Sequence, residues 1–325
     1  MERIRNRSKR TMANLKYVVI GAGGTGGAIG GFLARADKDV TLIARGAHLA
    51  QMQEKGLTLE TPAGTETVAV KACTMDEYAE TPDVIFVCVK GYSLEDTVPF
   101  IRRIAGKDTV VIPILNIFGT GKKLQEQLPE ITVTDGCIYI AAQIKEPGVI
   151  LLSGAIFRVV YGLRKGTDEA LRTAVMPVLK AVEADLAQAG ITPLLSEQIE
   201  KDALTKFSFV SPMAAVGACY DVTAGDVQKE GEYRSLYIQL VEEIKALSDA
   251  MGASIPEDIV EINLKIMDGL VPGATASMQR DIKAGRESEI DGLIYEVVRL
   301  GEAYQVEVPA YRKIAARFQG GKAGC

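Results

Sequence analysis

Tyr17-Val18-Val19-Ile20-Gly21-Ala22-Gly23-Gly24-Thr25-Gly26 is the stretch on which the fold turns. Four residues of strand character run directly into G-x-G-x-x-G, and the residues after Gly26 read as the body of a helix. In such a turn Gly21 permits the tight reversal and Gly23 lets the backbone approach a pyrophosphate. Gly26 allows the helix to pack closely on the strand, while the first helical N–H groups face the anion. Gly24 and Thr25 complete the candidate cofactor-binding set. Val40-Thr41-Leu42-Ile43-Ala44 supplies a second strand, so strand, glycine turn, helix and strand follow in the order of a dinucleotide-binding βαβ unit.

The end of that second strand discriminates between cofactors. An enzyme selective for NAD places a carboxylate there to accept from the ribose 2′-hydroxyl, whereas a 2′-phosphate calls for positive charge. Here the chain reads Ala44-Arg45-Gly46, without an acid and with a guanidinium whose planar fork suits phosphate. The expected cofactor is NADP(H). His48, three residues past Arg45, falls on the adenosine side and is expected to be exposed and without a specific role.

Further strands are expected at Val84 to Val89, Val110 to Leu115 and Ile131 to Tyr139, their apolar runs implying burial on both faces. Leu57 to Glu60 and Val68 to Lys71, separated by a turn containing Thr61-Pro62-Ala63-Gly64, read as a hairpin beside this sheet. Val149 to Leu152 and Phe157 to Tyr161 read as a second antiparallel addition. Beyond Leu194 the periodicity becomes helical, with Leu236, Leu240, Ile244 and Leu247 on one apolar face that ends at Gly252. Further helices are expected near Pro256 to Met267, Ser277 to Ala284, Ile290 to Tyr304 and Pro309 to Phe318. The fold class is therefore α/β: a Rossmann-type domain over residues 14–193 and an all-helical domain over 194–325, preceded by a basic flexible tail over 1–13. The tail lacks the apolar core of a secretory signal, and Met12 is an alternative first residue.

A length of 325 residues suits two domains, and 47% hydrophobic with 24% charged residues is an ordinary globular balance. With a net charge of -5, the partner expected is a small molecule and not nucleic acid, and no apolar run reaches the roughly 20 residues of a membrane span. Five cysteines without C-x-x-C pairing or nearby histidine argue against zinc and suit a reduced, cytoplasmic protein. A homodimer through the helical domain is compatible with the pattern.

Carbonyl reduction needs a proton donor for the forming alkoxide. With His48 as the single histidine, and on the adenosine side, a lysine or tyrosine must serve. Lys206 lies among apolar residues on the first helix of the second domain. Lys90 and Asn116 each follow a strand of the parallel sheet, where carboxyl ends face the ligand crevice.

Together these residues resemble the ketopantoate reductases (2-dehydropantoate 2-reductases), over nearly everything from Met12 to Phe318. The resemblance rests on Gly21 to Gly26, Val87-Cys88-Val89-Lys90, Asn116 with Gly119-Thr120, Lys206, and the late block Ser277-Met278-Gln279-Arg280-Asp281 with Glu289-Ile290-Asp291. It implies Lys206 as general acid toward the C2 oxygen and Glu289 as the acid bonded to substrate and lysine. Ser277 and Asn116 would hold the substrate, with Lys90 and Asn116 beside the cofactor.

Three positions depart from the family's pattern. Asparagines expected four and eight residues after the lysine are Val210 and Ala214, and an expected Asn-Gly pair is Asn116-Ile117. Pro212 is expected to interrupt the helix. The activity implied is NADPH-dependent reduction of 2-dehydropantoate to pantoate, in pantothenate and coenzyme A biosynthesis. Reduction of another branched or aromatic 2-oxo acid is the alternative that the three changes raise, and a non-catalytic NADP sensor is the alternative of another class.

Overall fold

The computed structural model describes residues 14–320, so the expectations for the tail over 1–13 lie outside the described residues. Spatial contacts divide the chain into two units: one spans residues up to Leu115 and Gly119–Ile199, the other Asn116–Phe118 and Glu200 onward. The division thus falls between Ile199 and Glu200, later than the expected 193/194, because β11 (Thr192–Leu195) pairs with a strand of the first unit.

Among the described residues the first unit holds two sheets. Strands β1 (Lys16–Ile20), β2 (Asp39–Ile43), β5 (Lys71–Cys73), β6 (Val84–Val87), β7 (Val110–Pro113) and β8 (Thr132–Val133) form a parallel sheet in the order β5-β2-β1-β6-β7-β8. Its central strands are buried along their length, which is why they read as continuous apolar runs. The second sheet runs β11-β10-β3-β4, with β9 also on β10, using β3 (Leu57–Thr61), β4 (Gly64–Val68), β9 (Asp135–Glu146) and β10 (Val149–Gly162).

This second sheet corrects several expectations. The hairpin returns through Gly64–Val68, with Thr61 opposite Gly64, leaving Lys71–Cys73 to join the first sheet. Ile131 to Tyr139 is two strands in two sheets, parting at Thr134, whose N–H donates to Val111. Val149 to Leu152 and Phe157 to Tyr161 are halves of a single strand, irregular between Leu152 and Phe157, that pairs with β9.

Helix α1 (Gly24–Arg35) is packed on both sheets, and its glycines make this possible. A Cβ built on Gly30 would lie 2.2 Å from Leu42 Cδ2 in the first sheet. Toward the second sheet, one on Gly27 would lie 2.8 Å from Ile150 Cδ1, and one on Gly24 2.5 Å from the Ala142 carbonyl oxygen. Side chains at these positions would force the sheets apart, so most of the glycine in this helix is there for packing. Helices α2 (Gly46–Lys55), α3 (Val98–Ile104), α4 (Thr120–Gln127) and α5 (Glu169–Gln188) complete the first unit.

The helical unit contains α6 (Ile199–Tyr220), α7 (Ala224–Val227), α8 (Glu232–Ala250), α9 (Ile259–Asp268), α10 (Ser277–Lys283), a π-helical turn over Asp291–Tyr295, α11 (Glu296–Tyr304) and α12 (Pro309–Gln319). In α8, Tyr237, Leu240, Ile244 and Leu247 are buried. Contrary to expectation, Pro212 does not interrupt α6. A proline there removes the N–H that would bond the Ser208 carbonyl four residues earlier. Buried Asn263 of α9 supplies the donor instead, its Nδ2 lying 3.0 Å from that carbonyl and 2.9 Å from Ser208 Oγ.

Asn263→Leu therefore leaves a buried carbonyl unpaired and should cost about 1–3 kcal/mol in denaturant unfolding. In a Pro212→Ala background, where the backbone donor returns, the same change should cost measurably less. Equal losses in both backgrounds would show that Asn263 does not compensate for the proline.

Candidate active site

The glycine turn is fixed from behind. Gly21, at φ +92°, and Ala22 both donate N–H bonds to the Ile43 carbonyl at the end of β2, at 3.2 and 3.1 Å. A Cβ on Gly26 would fall 2.1 Å from the Gly21 carbonyl oxygen and 2.9 Å from Cys88 Cβ, whereas one on Gly23 would meet nothing within 4 Å. The turn is thus packed tight on its inner side and open at Gly23. Gly23 is the N-cap of α1 and gives that helix no side-chain cap bond, a condition under which the first N–H groups of a helix can serve an anion.

Arg45 is exposed immediately after β2, at the N-cap of α2. Lys90 is half-buried after β6, its carbonyl accepting from Ser93 N at 2.9 Å. His48 departs from expectation: it is half-buried in the first turn of α2, and its Nδ1 accepts from Gly148 N at 2.9 Å.

In the helical unit, buried Lys206 donates from Nζ to Asn116 Oδ1 at 2.7 Å. A lysine on α6 and an asparagine 90 residues earlier are thereby joined. Burial of an ammonium requires such acceptors, and the contact fixes the head group on its long stem. Ile117, next to Asn116, packs on Gly292 so closely that a Cβ there would stand 2.2 Å from Ile117 Cδ1. The π-helical turn containing Gly292 is held to α6 by Ser211, whose Oγ donates to the Leu293 carbonyl at 2.6 Å and accepts from Tyr311 Oη at 2.6 Å. Glu289 is buried just before this turn, its carbonyl accepting from Leu293 N at 2.9 Å. Ser277 is the half-buried first residue of α10.

These contacts change how the departures from the family pattern are read. Ile117 and Ala214 are buried in the apolar core of the helical unit, at 8% and 1% exposure, and Val210 alone of the three is partly exposed. Gly292, Ser211, Tyr311 and Asn263 were not singled out from the sequence. A glycine within a helical pattern is the one signal that pointed to any of them.

No group of histidine, cysteine and carboxylate side chains able to hold a metal occurs among the described residues, nor is any helix there long and apolar enough to cross a membrane.

A parallel sheet carrying an open glycine turn, followed by a helical unit with a buried lysine held by an asparagine, defines a two-unit dinucleotide oxidoreductase. Residues 17–166 match the family model Ketopantoate reductase PanE/ApbA, and 198–321 match its C-terminal model. The chain belongs to the ketopantoate reductase family. It is similar to the 2-dehydropantoate 2-reductase of Pyrococcus horikoshii, 26% identical with 91% of this chain and 93% of that protein covered. A PanE/ApbA family ketopantoate reductase from Ralstonia eutropha superposes with a TM-score of 0.81 at 26% identity, covering 94% of this chain and 98% of the other. The same fold occurs in a D-mandelate dehydrogenase solved with NADH and anilino(oxo)acetate, at a TM-score of 0.82 and 21% identity over 94% of this chain and 98% of that one.

Gly292→Ala should destabilise the chain by about 1–3 kcal/mol through overpacking against Ile117. Ile117→Ala in the same chain should recover part of that loss, measured by denaturant unfolding. Additive losses would show that the two residues do not compete for one space.

Proposed function

We propose that this protein reduces 2-dehydropantoate to pantoate with NADPH, the reduction that feeds pantothenate and coenzyme A biosynthesis. The observation that carries this reading is the bond from Lys206 to Asn116. It supports a buried ammonium whose direction is set before substrate arrives, as electrostatic preorganisation requires.

A nicotinamide cofactor, when bound, would supply the hydride that C2 of the 2-oxo acid receives. Lys206 donates one Nζ proton to the C2 oxygen as it gains charge and takes a proton back from solvent after release. Asn116 keeps Nζ from turning away, while Glu289 bonds the lysine and the substrate, and Ser277 with Asn116 bonds the polar end of the substrate. The turn of Gly21, Gly23, Gly24, Thr25 and Gly26 would hold the pyrophosphate, with Gly23 on the ligand side and Gly26 packing the turn from within, and Lys90 and Asn116 would lie beside the cofactor. The open space at Gly23 fits this assignment, since only there does the turn leave room for a ligand atom. Arg45, exposed with no acid beside it at the end of β2, pairs with the 2′-phosphate of NADP(H).

Gly23→Ala should leave the unfolding midpoint nearly unchanged and weaken NADPH binding by tenfold or more, about 1.4 kcal/mol. Gly26→Ala should lower stability as well, since its Cβ has no space. Equal effects of the two substitutions on stability would contradict the assignment of Gly23 to the ligand side.

Val210 favours a second reading, in which an apolar substituent replaces the substrate hydroxyl that an asparagine would have met. An unpaired hydroxyl costs roughly 1–3 kcal/mol, or about 5- to 150-fold in kcat/KM. Steady-state kinetics with 2-dehydropantoate, 2-oxoisovalerate and phenylpyruvate separates the two: preference for 2-dehydropantoate is expected, and its absence would transfer the assignment to another branched or aromatic 2-oxo acid. Lys206→Ala should lower kcat by orders of magnitude while NADPH still binds, whereas a non-catalytic sensor would retain its NADPH-linked behaviour.

A further inference from the structure

His48 is the residue that the proposed mechanism leaves unused, yet it is tied into the glycine turn. Gly148, at φ +81°, forms the buried turn between β9 and β10, and its carbonyl accepts from Thr58 N of β3 at 2.8 Å. The remaining polar group of that residue, its N–H, is satisfied by His48 Nδ1. An imidazole nitrogen that accepts carries no proton, so the proton of the neutral ring sits on Nε2. Nε2 is buried without a well-formed hydrogen bond, and the ring lies beside the backbone carbonyl of Ala22, within Gly21-Ala22-Gly23. Burial of the ring lowers the His48 pKa below its ordinary value, which favours this neutral form.

We infer that His48 is a positioning residue of the cofactor site: its Nδ1 anchors the ring to Gly148, and its Nε2–H faces the Ala22 carbonyl and holds the turn in the shape that receives a pyrophosphate. The other side of the turn is already fixed by the bonds from Gly21 and Ala22 to Ile43. With His48 in place, Ala22 is held at its N–H by Ile43 and at its carbonyl by the imidazole, next to Gly23, where the turn is open. The inference rests on dinucleotide binding at this turn and is independent of which 2-oxo acid is reduced. It also does not depend on the choice between NADPH and NADH, because the pyrophosphate is common to both.

Titration of cofactor fluorescence with NADPH and, separately, with NADH tests it, alongside kcat and the unfolding midpoint of each variant. His48→Ala should raise the Kd of both cofactors about tenfold, with kcat at saturating NADPH within about twofold of the parent. His48→Asn can still accept from Gly148 N through its side-chain oxygen. It should recover stability without recovering full cofactor affinity, which a role limited to anchoring the hairpin turn would restore. Unchanged Kd values in both variants, or full recovery by asparagine, would overturn the inference. Arg45→Ala serves as the contrast, since it should weaken NADPH alone. If it weakens both or neither, the 2′-phosphate assignment fails while the His48 result stands.

Discussion

A buried lysine must keep acceptors around its ammonium, and much of the helical unit is arranged to meet that requirement at Lys206. Asn116 provides one acceptor, and the chain delivers it by leaving the parallel sheet after β7 and contributing three residues, Asn116–Phe118, to the other unit. Ile117 fixes that short segment by filling the space that Gly292 leaves empty. The π-helical turn carrying Gly292 is in turn held to α6, the helix of Lys206, by Ser211 and Tyr311. A displacement at any of these contacts would be felt at the lysine head group, because close-packed interiors transmit small shifts.

The first unit meets a different constraint, the close approach of one backbone to another. Its inner surfaces are so close that side chains are excluded at Gly24, Gly26, Gly27 and Gly30, while Gly23 opens outward. Glycine therefore does two things in one helix. Toward the sheets it permits contact, and at the N-terminus it leaves N–H groups uncapped by any side chain, as the proposed pyrophosphate site requires.

The parallel sheet was legible from composition along the chain because strands buried on both faces are written as unbroken apolar runs, as in Val84-Ile85-Phe86-Val87. The second sheet was not, and the reasons are local. The later half of β9 is largely exposed and carries no burial pattern, and the apolar run through Thr134 conceals a change of sheet. Pro212 read as a helix breaker because its compensation comes from Asn263, on a different helix. In the candidate site, Lys206 and Asn116 were visible as residue types in a familiar order, but their 2.7 Å contact depends on two distant chain segments meeting. Gly292 and Ser211 act through packing and backbone bonds, which leave little imprint on a single sequence. His48 was misjudged for the same reason, since its partner Gly148 is 100 residues away.

In the proposed reaction the Lys206 ammonium, directed by Asn116, protonates the reacting carbonyl. A crystal structure of the protein with NADP+ and a 2-oxo acid bound tests this most directly. Lys206 Nζ is expected at hydrogen-bond distance, about 2.7–3.1 Å, from the C2 oxygen, with the Asn116 bond retained. A bound 2-oxo acid whose C2 oxygen is met by another donor, with Lys206 out of reach, would contradict the account.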